Sequence, residues 1–297
     1  MKNLRIYFLI WMLLCGPVFG ANDYSEAINL EALYTFESYG GSPDSPLDTS
    51  GNGLTLVPNY SGGSPTDSAT AKEGLVSALS AQPTSSRFQK SDANLTATFP
   101  GKNATSNRTF SIAGWFQPHN IASASFGSAV SKWDSTGNKR SWMVGWNDTG
   151  TERFSTFIGY NAGASTEIFA NTLVATITFQ WYFVVYTYDG GTKDWRIWVR
   201  DDDASTDYDA TGTGSEVMNI EDADFIVFSR DTDHNANFIG LIDELSVWSR
   251  VLSLEECIAL AGGTFGASSA GNFIIISKDF WKNFFQDGID GRWRMAA

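Results

Sequence analysis

The chain has 297 residues and a formal net charge of −13, from 33 acidic and 20 basic side chains. This acidic excess argues against nucleic acids and anionic membrane surfaces as partners, because both would repel the protein. Two cysteines and two histidines offer little material for a disulfide framework or a histidine-rich zinc site.

The first 20 residues have the organisation of a secretory signal peptide. Lys2 and Arg5 precede an apolar run over residues 6–14, which is too short to span a membrane. Gly20 and Ala21 supply a small-residue cleavage site. We expect cleavage after Gly20 and residence in the extracellular space, at the cell surface or in the periplasm.

Short β-branched and aromatic runs then alternate with clusters of Gly, Asn, Asp, Ser and Thr. This pattern is typical of an all-β sandwich or barrel built from hairpins. The predicted strands cover residues 33–37, 110–116, 128–132, 141–146, 153–160, 181–188, 195–200, 225–229 and 238–248. We expect one large domain over residues 21–263.

Two neighbouring strands predict how the sheet is covered. Residues 181–186 are apolar on both faces, which favours a central strand, whereas residues 195–200 alternate and predict one buried and one partly wet face. Asp189 and Gly190 between them are typical of a tight hairpin turn.

A short helix is predicted to close the domain. Ser253 suits the N-cap, Glu256 completes a capping box, and glycines at 262–263 end the helix. Cys257 falls on the apolar side of this helix, so we expect it to be buried and inert. It would be the one thiol left after signal cleavage, so no intramolecular disulfide is expected.

Residues 264–297 differ in composition from the domain. A linker over 264–272 leads to apolar and aromatic clusters at 273–276 and 280–285, too short for a membrane span. Two interpretations stay open: the tail packs back onto the sandwich, or it attaches the protein to a cell-surface or protein partner.

Five segments follow one another in a characteristic order. They read LYTFE at 33–37, LDTSGNG at 47–53, FSIAGWF at 110–116, QWYFVVYTYDG at 180–190 and GLIDELSVWSRVLS at 240–253. In this order and spacing they resemble the laminin-G-like, concanavalin A-like family of jelly-roll domains. The resemblance covers residues 31–263 and implies a two-sheet antiparallel jelly-roll β-sandwich, often with a sugar on the concave face of one sheet.

The resemblance also implies a structural Ca²⁺ ion. In this sequence the matching ligands are Glu37, Asp48, Asp243 and a backbone carbonyl of Gly51 or Asn52. Ca²⁺ binds six to eight oxygen ligands, and this set supplies several of them. The alternative is that Asp48 caps its own turn and that Asp243 and Glu244 are solvated strand residues.

Aromatic and planar polar residues near turns are the candidates for glycan binding. Sugars stack their C–H faces on aromatic rings and form hydrogen bonds with planar polar groups. The candidate residues are Trp133, Arg140, Trp142, Trp146, Asn147 and Tyr160. For each tryptophan the alternative is packing in the core.

No catalytic residues are predicted. Retaining glucanases of this fold carry Glu-x-Asp-x-x-Glu, which places two carboxylates about 5 Å apart. Residues 221–224 come nearest, but position 226 is Ile226 and not a carboxylate. We therefore expect a non-catalytic module that binds a polysaccharide or a glycoprotein glycan, or that acts in adhesion. The alternatives are a glycan-active enzyme, either glycoside hydrolase or polysaccharide lyase, and a structural or protein-binding surface module.

Overall fold

The computed structural model describes residues 22–25, 27–37, 45–60, 65–80, 86–103, 106–119, 126–147, 153–160, 164–169, 178–203, 206–231 and 236–266. These residues form the predicted all-β sandwich of two antiparallel sheets. The predicted signal peptide and residues 267–297 of the predicted tail lie outside the described residues. Within the described ranges, no helix has the length and apolar character needed to cross a membrane.

The elements follow one another in a simple order. In sequence they are β1 (Leu30–Tyr34), β2 (Val57–Tyr60), β3 (Thr66–Ser68), β4 (Ser77–Ser80), β5 (Ser86–Lys90), a 3-10 helix (Asp92–Asn94), β6 (Phe110–Pro118), β7 (Phe126–Asp134), β8 (Lys139–Asn147), β9 (Arg153–Tyr160), β10 (Ala164–Phe169), β11 (Tyr182–Tyr188), β12 (Asp194–Asp201), β13 (Thr206–Thr213), β14 (Phe225–Val227), β15 (Gly240–Trp248) and α1 (Leu254–Ala261).

Each sheet pairs strands that are distant from one another in the sequence. An eight-stranded sheet has the order β13-β12-β11-β6-β15-β4-β3, and β1 also pairs with β15. Because β6 occupies one edge of β15, β1 and β4 share the other edge. The seven-stranded sheet has the order β10-β9-β8-β7-β14-β5-β2.

The main core lies between the two sheets and takes alternate residues from strands of both. Ile112 of β6 faces it from one sheet, and Trp142 and Val144 of β8 face it from the other. Tyr186 of β11 crosses the core and donates its hydroxyl hydrogen to the carbonyl of Gly145 at 2.9 Å. The buried phenol therefore has a partner in the opposite sheet.

The strands with long apolar runs were predicted from sequence, whereas the short or polar strands were not. The central position of β11 is confirmed, because it lies between β6 and β12 and all of its residues are buried. The hairpin to β12 is also confirmed, with the amide of Asp189 donating to the carbonyl of Asp194 at 2.8 Å.

Strands β2 to β5, β10 and β13 were missed. β1 ends at Tyr34 and not at residue 37, and Phe36 has a positive φ of 59°.

One face of β12 is drier than its pattern predicts. Ile197 and Val199 lie in the main core, as expected. Trp198, assigned to the partly wet face, is 1% exposed. The ring of Phe183 lies 6.4 Å from it and the guanidinium of Arg200 lies 5.2 Å from it, so both faces of β12 carry buried side chains.

The predicted helix covers the face of the eight-stranded sheet that is turned away from the main core. The capping box forms as expected, with Ser253 Oγ accepting from the Glu256 amide and the Glu256 carboxylate accepting from the Ser253 amide. Gly262 follows the last helical turn. Cys257 is fully buried and packs in one cluster with Trp248, as predicted for an inert core thiol.

The two ends of the described domain are joined to each other. The Asp23 amide donates to the carbonyl of Phe265 at 2.7 Å, and Asn22 Nδ2 donates to the carbonyl of Leu260 at 3.0 Å. The ring of Tyr24 lies 5.7 Å from that of Phe265. Residue 265, assigned to the linker from sequence, therefore packs as part of the domain. We refer to residues 22–24 with 264–266 as the terminal clasp.

A buried ammonium group holds one end of the sandwich. Lys132 of β7 is fully buried, and its Nζ lies 2.6 Å from Asp92 Oδ1, the Glu221 carbonyl and the Ala223 carbonyl. These three acceptors match the three hydrogens of the ammonium group. Burial lowers the pKa of Lys132, and the hydrogen bond with Asp92 opposes this effect. The contact joins β7 to the 3-10 helix and to the segment before β14.

Replacing the partner of this buried charge should destabilise the fold. We expect Asp92→Asn to lower the free energy of unfolding by about 3 kcal/mol, because Lys132 would keep a buried charge without its directly bonded carboxylate. Asp207→Asn is the matched control, since Asp207 pairs with Arg200 near the surface and such pairs contribute about 0–1 kcal/mol. Urea unfolding of both variants measures the difference. Equal losses in the two variants would contradict this role for Asp92.

Candidate functional site

An aromatic cluster lies on the face of the seven-stranded sheet turned away from the main core, which we call the outer face. Met143 alternates along β8 with Trp142, which faces the core, so Met143 points outward. Phe126, Trp133 and the half-buried Phe157 pack with Met143. Phe126 and Phe157 meet edge to face, with ring centroids 4.9 Å apart. This cluster is separate from both larger hydrophobic clusters.

The outer face brings together two of the predicted glycan-binding residues. Trp133 and Arg140 are register partners of β7 and β8, and the guanidinium carbon of Arg140 lies 5.5 Å from the ring centroid of Trp133. The indole Nε1 donates to Ser135 Oγ at 3.3 Å. Trp133 is 3% exposed, so its ring supports Arg140 and does not itself present an open face. Arg140 is half-buried, so part of this side chain remains accessible to a ligand.

Tyr160 belongs to the neighbouring strand β9. It ends β9 next to Gly159, where a Cβ would stand 2.0 Å from the carbonyl oxygen of Arg140. The two strand ends therefore touch, and both Arg140 and Tyr160 are half-buried. Asn147 ends β8 at its other end, away from the Arg140 side, and its side chain lies outside the described residues.

Trp142 and Trp146 do not belong to a binding face, and their prediction as ligand contacts is wrong. Trp142 is fully buried, donates Nε1 to the Pro100 carbonyl at 3.1 Å and stacks on Phe110 at 5.1 Å. Trp146 is 1% exposed in the same core. Their alternation with Val144 carried the signal, since three apolar residues at a spacing of two share one face of a strand.

The predicted metal ligands fall into two separate structures. Asp48 caps its own loop: its Oδ1 accepts from the amides of Leu33 and Ser50, and its Oδ2 accepts from the amide of Leu54 at 2.8 Å. Gly51 turns this loop with a φ of 90°. This is the capping alternative considered for Asp48 from sequence.

Glu37 and Asp243 instead hold the loop before β4. Asp243 Oδ2 accepts from the amides of Lys72 and Glu73 at 2.9 and 3.0 Å, and Glu37 Oε1 accepts from the Leu75 amide at 2.8 Å. Across the described ranges, no three His, Cys, Asp or Glu side chains are grouped so that they could hold a metal ion. The predicted set is therefore not gathered into one cage, and calcium binding stays a prediction.

Glu37 and Asp243 form an acidic cluster with Glu73, which sequence reasoning missed, and with Glu244, which it considered only as a solvated strand residue. Asp243 is fully buried, so the solvated alternative is wrong for it. Burial raises the pKa of Asp243 to about 7, and the charge of Glu37 adds to the effect. Burial raises the pKa of Glu244 to about 8, with further contributions from Glu73, Asp243 and Glu37. Trp115 Nε1 donates to Glu73 Oε1 at 3.3 Å. The adjacency of Glu244 to Asp243 was the available signal in the sequence.

Comparison with known proteins identifies the fold. A family model described as the concanavalin A-like lectin/glucanases superfamily matches residues 91–257, more than half of the chain. No curated protein matches. Domain 4 of AbnA, an extracellular GH43 arabinanase from Geobacillus stearothermophilus solved with arabinotriose, is similar with a TM-score of 0.54 and 18% identity, over 78% of this chain and 98% of that domain.

Two further solved structures are similar at lower TM-scores. The CBM40 of the Ruminococcus gnavus IT-sialidase, bound to alpha2,3 sialyllactose, has a TM-score of 0.39 and 15% identity over 51% of this chain and 81% of its own. The enzymatically active domain of bacteriophage CBA120 tailspike protein 2 has a TM-score of 0.46 and 11% identity over 71% of this chain and 29% of its own. Of these three structures, the arabinanase domain is the one whose similarity shows that it shares its fold with this chain.

The acidic cluster predicts that the metal-free protein loses stability as pH rises from about 4 to about 8. In the unfolded chain Asp243 and Glu244 ionise near 3.8 and 4.5, whereas in the fold their pKa values are about 7 and about 8. Between these limits the folded state binds more protons, so a higher pH favours unfolding. Melting temperatures in EDTA should therefore be lower at about pH 8 than at about pH 5.5.

Glu244→Gln should flatten this pH profile, because the amide stays neutral throughout. A change of about 1 kcal/mol corresponds to about 2–4 °C in a domain of this size. Glu216→Gln, at an exposed position, is the control and should leave the profile unchanged. A wild-type melting temperature that rises from about pH 5.5 to about pH 8 would contradict the assignment.

Proposed function

The chain belongs to the concanavalin A-like lectin/glucanases superfamily, and on that premise we propose that it is a non-catalytic carbohydrate-binding module. Its ligand is a glycan of a polysaccharide or a glycoprotein. Because residues 1–20 read as a signal peptide, the module acts outside the cytoplasm.

The observation that carries this proposal is the Arg140 guanidinium, supported by the indole of Trp133. Tyr160, at the end of the neighbouring strand β9, is the second predicted contact. A guanidinium presents several N–H donors in one plane, and a phenol can donate or accept. Both match sugar hydroxyls. The support from Trp133 holds the guanidinium in a defined orientation, which reduces the entropy lost when a ligand binds.

The similar arabinanase domain suggests the first ligands to test. That domain is described in complex with arabinotriose, and it shares the fold over most of this chain. Arabino-oligosaccharides therefore head the panel, followed by sialylated oligosaccharides and plant and bacterial polysaccharides.

We expect the wild-type protein to bind at least one glycan of this panel in isothermal titration calorimetry. Arg140→Ala should weaken that binding about tenfold, equivalent to about 1.4 kcal/mol. Arg140→Lys should give an intermediate loss, because the ammonium keeps the charge but not the planar donor pattern. Tyr160→Phe tests the phenolic hydroxyl by itself.

Arg200→Ala is the matched control for this experiment. Arg200 also lies over a tryptophan, Trp198, at 5.2 Å, but on the eight-stranded sheet. Its replacement should leave glycan affinity unchanged. A wild-type protein that binds nothing in the panel would reject the proposed function. Equal losses for Arg140→Ala and Arg200→Ala would remove the outer face as the site.

Calcium is a separate part of the proposal and rests on the acidic cluster. Burial is the main cause of the raised pKa of Asp243, and the charge of Glu37 adds to it. A divalent cation beside both carboxylates would favour their ionised forms. An ion that binds only the folded state stabilises it by about 2.7 kcal/mol at a concentration 100 times its Kd. We therefore expect calcium to raise the melting temperature and EDTA to lower it.

Glu37→Gln should reduce this response to calcium, because the amide keeps an acceptor oxygen but loses the charge. Glu216→Gln is again the control, and magnesium tests ion selectivity. A melting temperature that is the same in calcium and in EDTA would reject calcium binding. That result would leave the glycan proposal intact.

A further inference from the structure

Phe179 is held exposed and in a strained conformation. Its side chain is 66% exposed and its φ is 66°. The left-handed region disfavours residues with a Cβ, and bulky residues there are true outliers. Burial does not offset this strain, because most of the ring faces solvent. Such strain persists where the surrounding structure enforces it, and it is concentrated at functional sites.

The surroundings of Phe179 fix both its backbone and its ring. Its amide donates to the carbonyl of Pro118 at 2.8 Å, and its ring centroid lies 4.5 Å from that of His119, with an interplanar angle of 30°. The His119 amide donates to the Ile239 carbonyl at 3.0 Å, and His119 Nε2 lies 2.8 Å from Gln117 Oε1. The two rings form a supported stack with Phe179 on the outside.

The imidazole in this stack is uncharged at neutral pH. Burial lowers the pKa of His119 below its ordinary value of 6.5. The pair therefore presents an apolar aromatic surface and not a cation. An apolar face of a ligand would meet no charge on this ring.

Polar groups lie close to the exposed ring. Gln180, the next residue, is 7% exposed, and its Nε2 donates to Asp201 Oδ1 at the end of β12. Gln117 is 6% exposed at the end of β6. Both amides are hydrogen-bonded within the protein, so they support the stack and its surroundings.

The stack lies away from the Arg140 guanidinium. The carbonyls of Ala236 and Ile239 accept from the amides of Ser128 and His119, so the beginning of β7 lies at the Phe179 end of the sandwich. Trp133 is five residues further along β7, about 16 Å at 3.3 Å per residue. The two locations are thus separate contact sites.

We propose that Phe179, stacked on His119, is an aromatic platform that binds the C–H face of a sugar ring. This inference rests on the proposed carbohydrate-binding function and adds a second contact site to it. The strained backbone keeps the ring in solvent, where a sugar can stack on it.

Phe179→Gly tests this platform, because glycine removes the ring and also tolerates the positive φ. We expect glycan affinity to fall about tenfold while the melting temperature stays the same or rises. Phe179→Tyr keeps a flat ring and should retain affinity within about twofold. Ile28→Ala, at another exposed apolar residue (72% exposed), should change neither quantity.

A second measurement follows the stack directly. In NMR titration with the glycan that the wild type binds, the ring protons of His119 should shift, and this shift should be lost in Phe179→Gly. Unchanged affinity and an unchanged His119 shift in Phe179→Gly would overturn the platform. If Arg140→Ala still loses binding in that case, the carbohydrate-binding function stands without it. A wild-type protein that binds no glycan rejects the function itself.

Discussion

The core between the two sheets takes every second residue of the strands that form it, and this constraint decides which aromatic groups remain for a ligand. Trp142 and Trp146 share the inward face of β8, so they stabilise the sandwich and cannot contact a sugar. Trp133 packs outward but is covered by Arg140. Phe179 lies before β11 begins, where the alternation no longer applies. The candidate binding groups therefore lie at strand ends and on the outer face, because the inner face is already occupied.

Local patterns predicted the parts of the fold that depend on neighbouring residues. The capping box of α1 and the β11–β12 hairpin are set by residues a few positions apart, and both form as expected. β13 was missed because its polar residues alternate between exposed and half-buried positions at a sheet edge. The acidic cluster was half predicted, because Asp243 binds amides 170 and 171 positions away in the chain. The strain at Phe179 has no counterpart in composition or spacing.

Charge is buried in two opposite ways in this domain. Lys132 has three oxygen acceptors, one of them the Asp92 carboxylate, so its burial is compensated. Asp243 accepts backbone amide hydrogens, but the charge of Glu37 opposes its ionisation and no cationic side chain is among the causes of its pKa shift. The Lys132 contact joins β7 to distant segments of the chain. The acidic cluster around Asp243 makes the loop before β4 sensitive to protons and to cations. The two buried charges therefore respond differently to solution conditions.

The terminal clasp has a mechanical consequence. The Asp23 amide and the Phe265 carbonyl are 2.7 Å apart, so the chain enters and leaves the domain at one point. A pull on the segment after residue 266 would load the hydrogen bonds of Phe265 in the clasp first. The two sheets, whose strands are joined by many hydrogen bonds, would keep their geometry until the clasp had opened. A domain attached through its C-terminal end would therefore bear a pulling force at the clasp and not at its sheets.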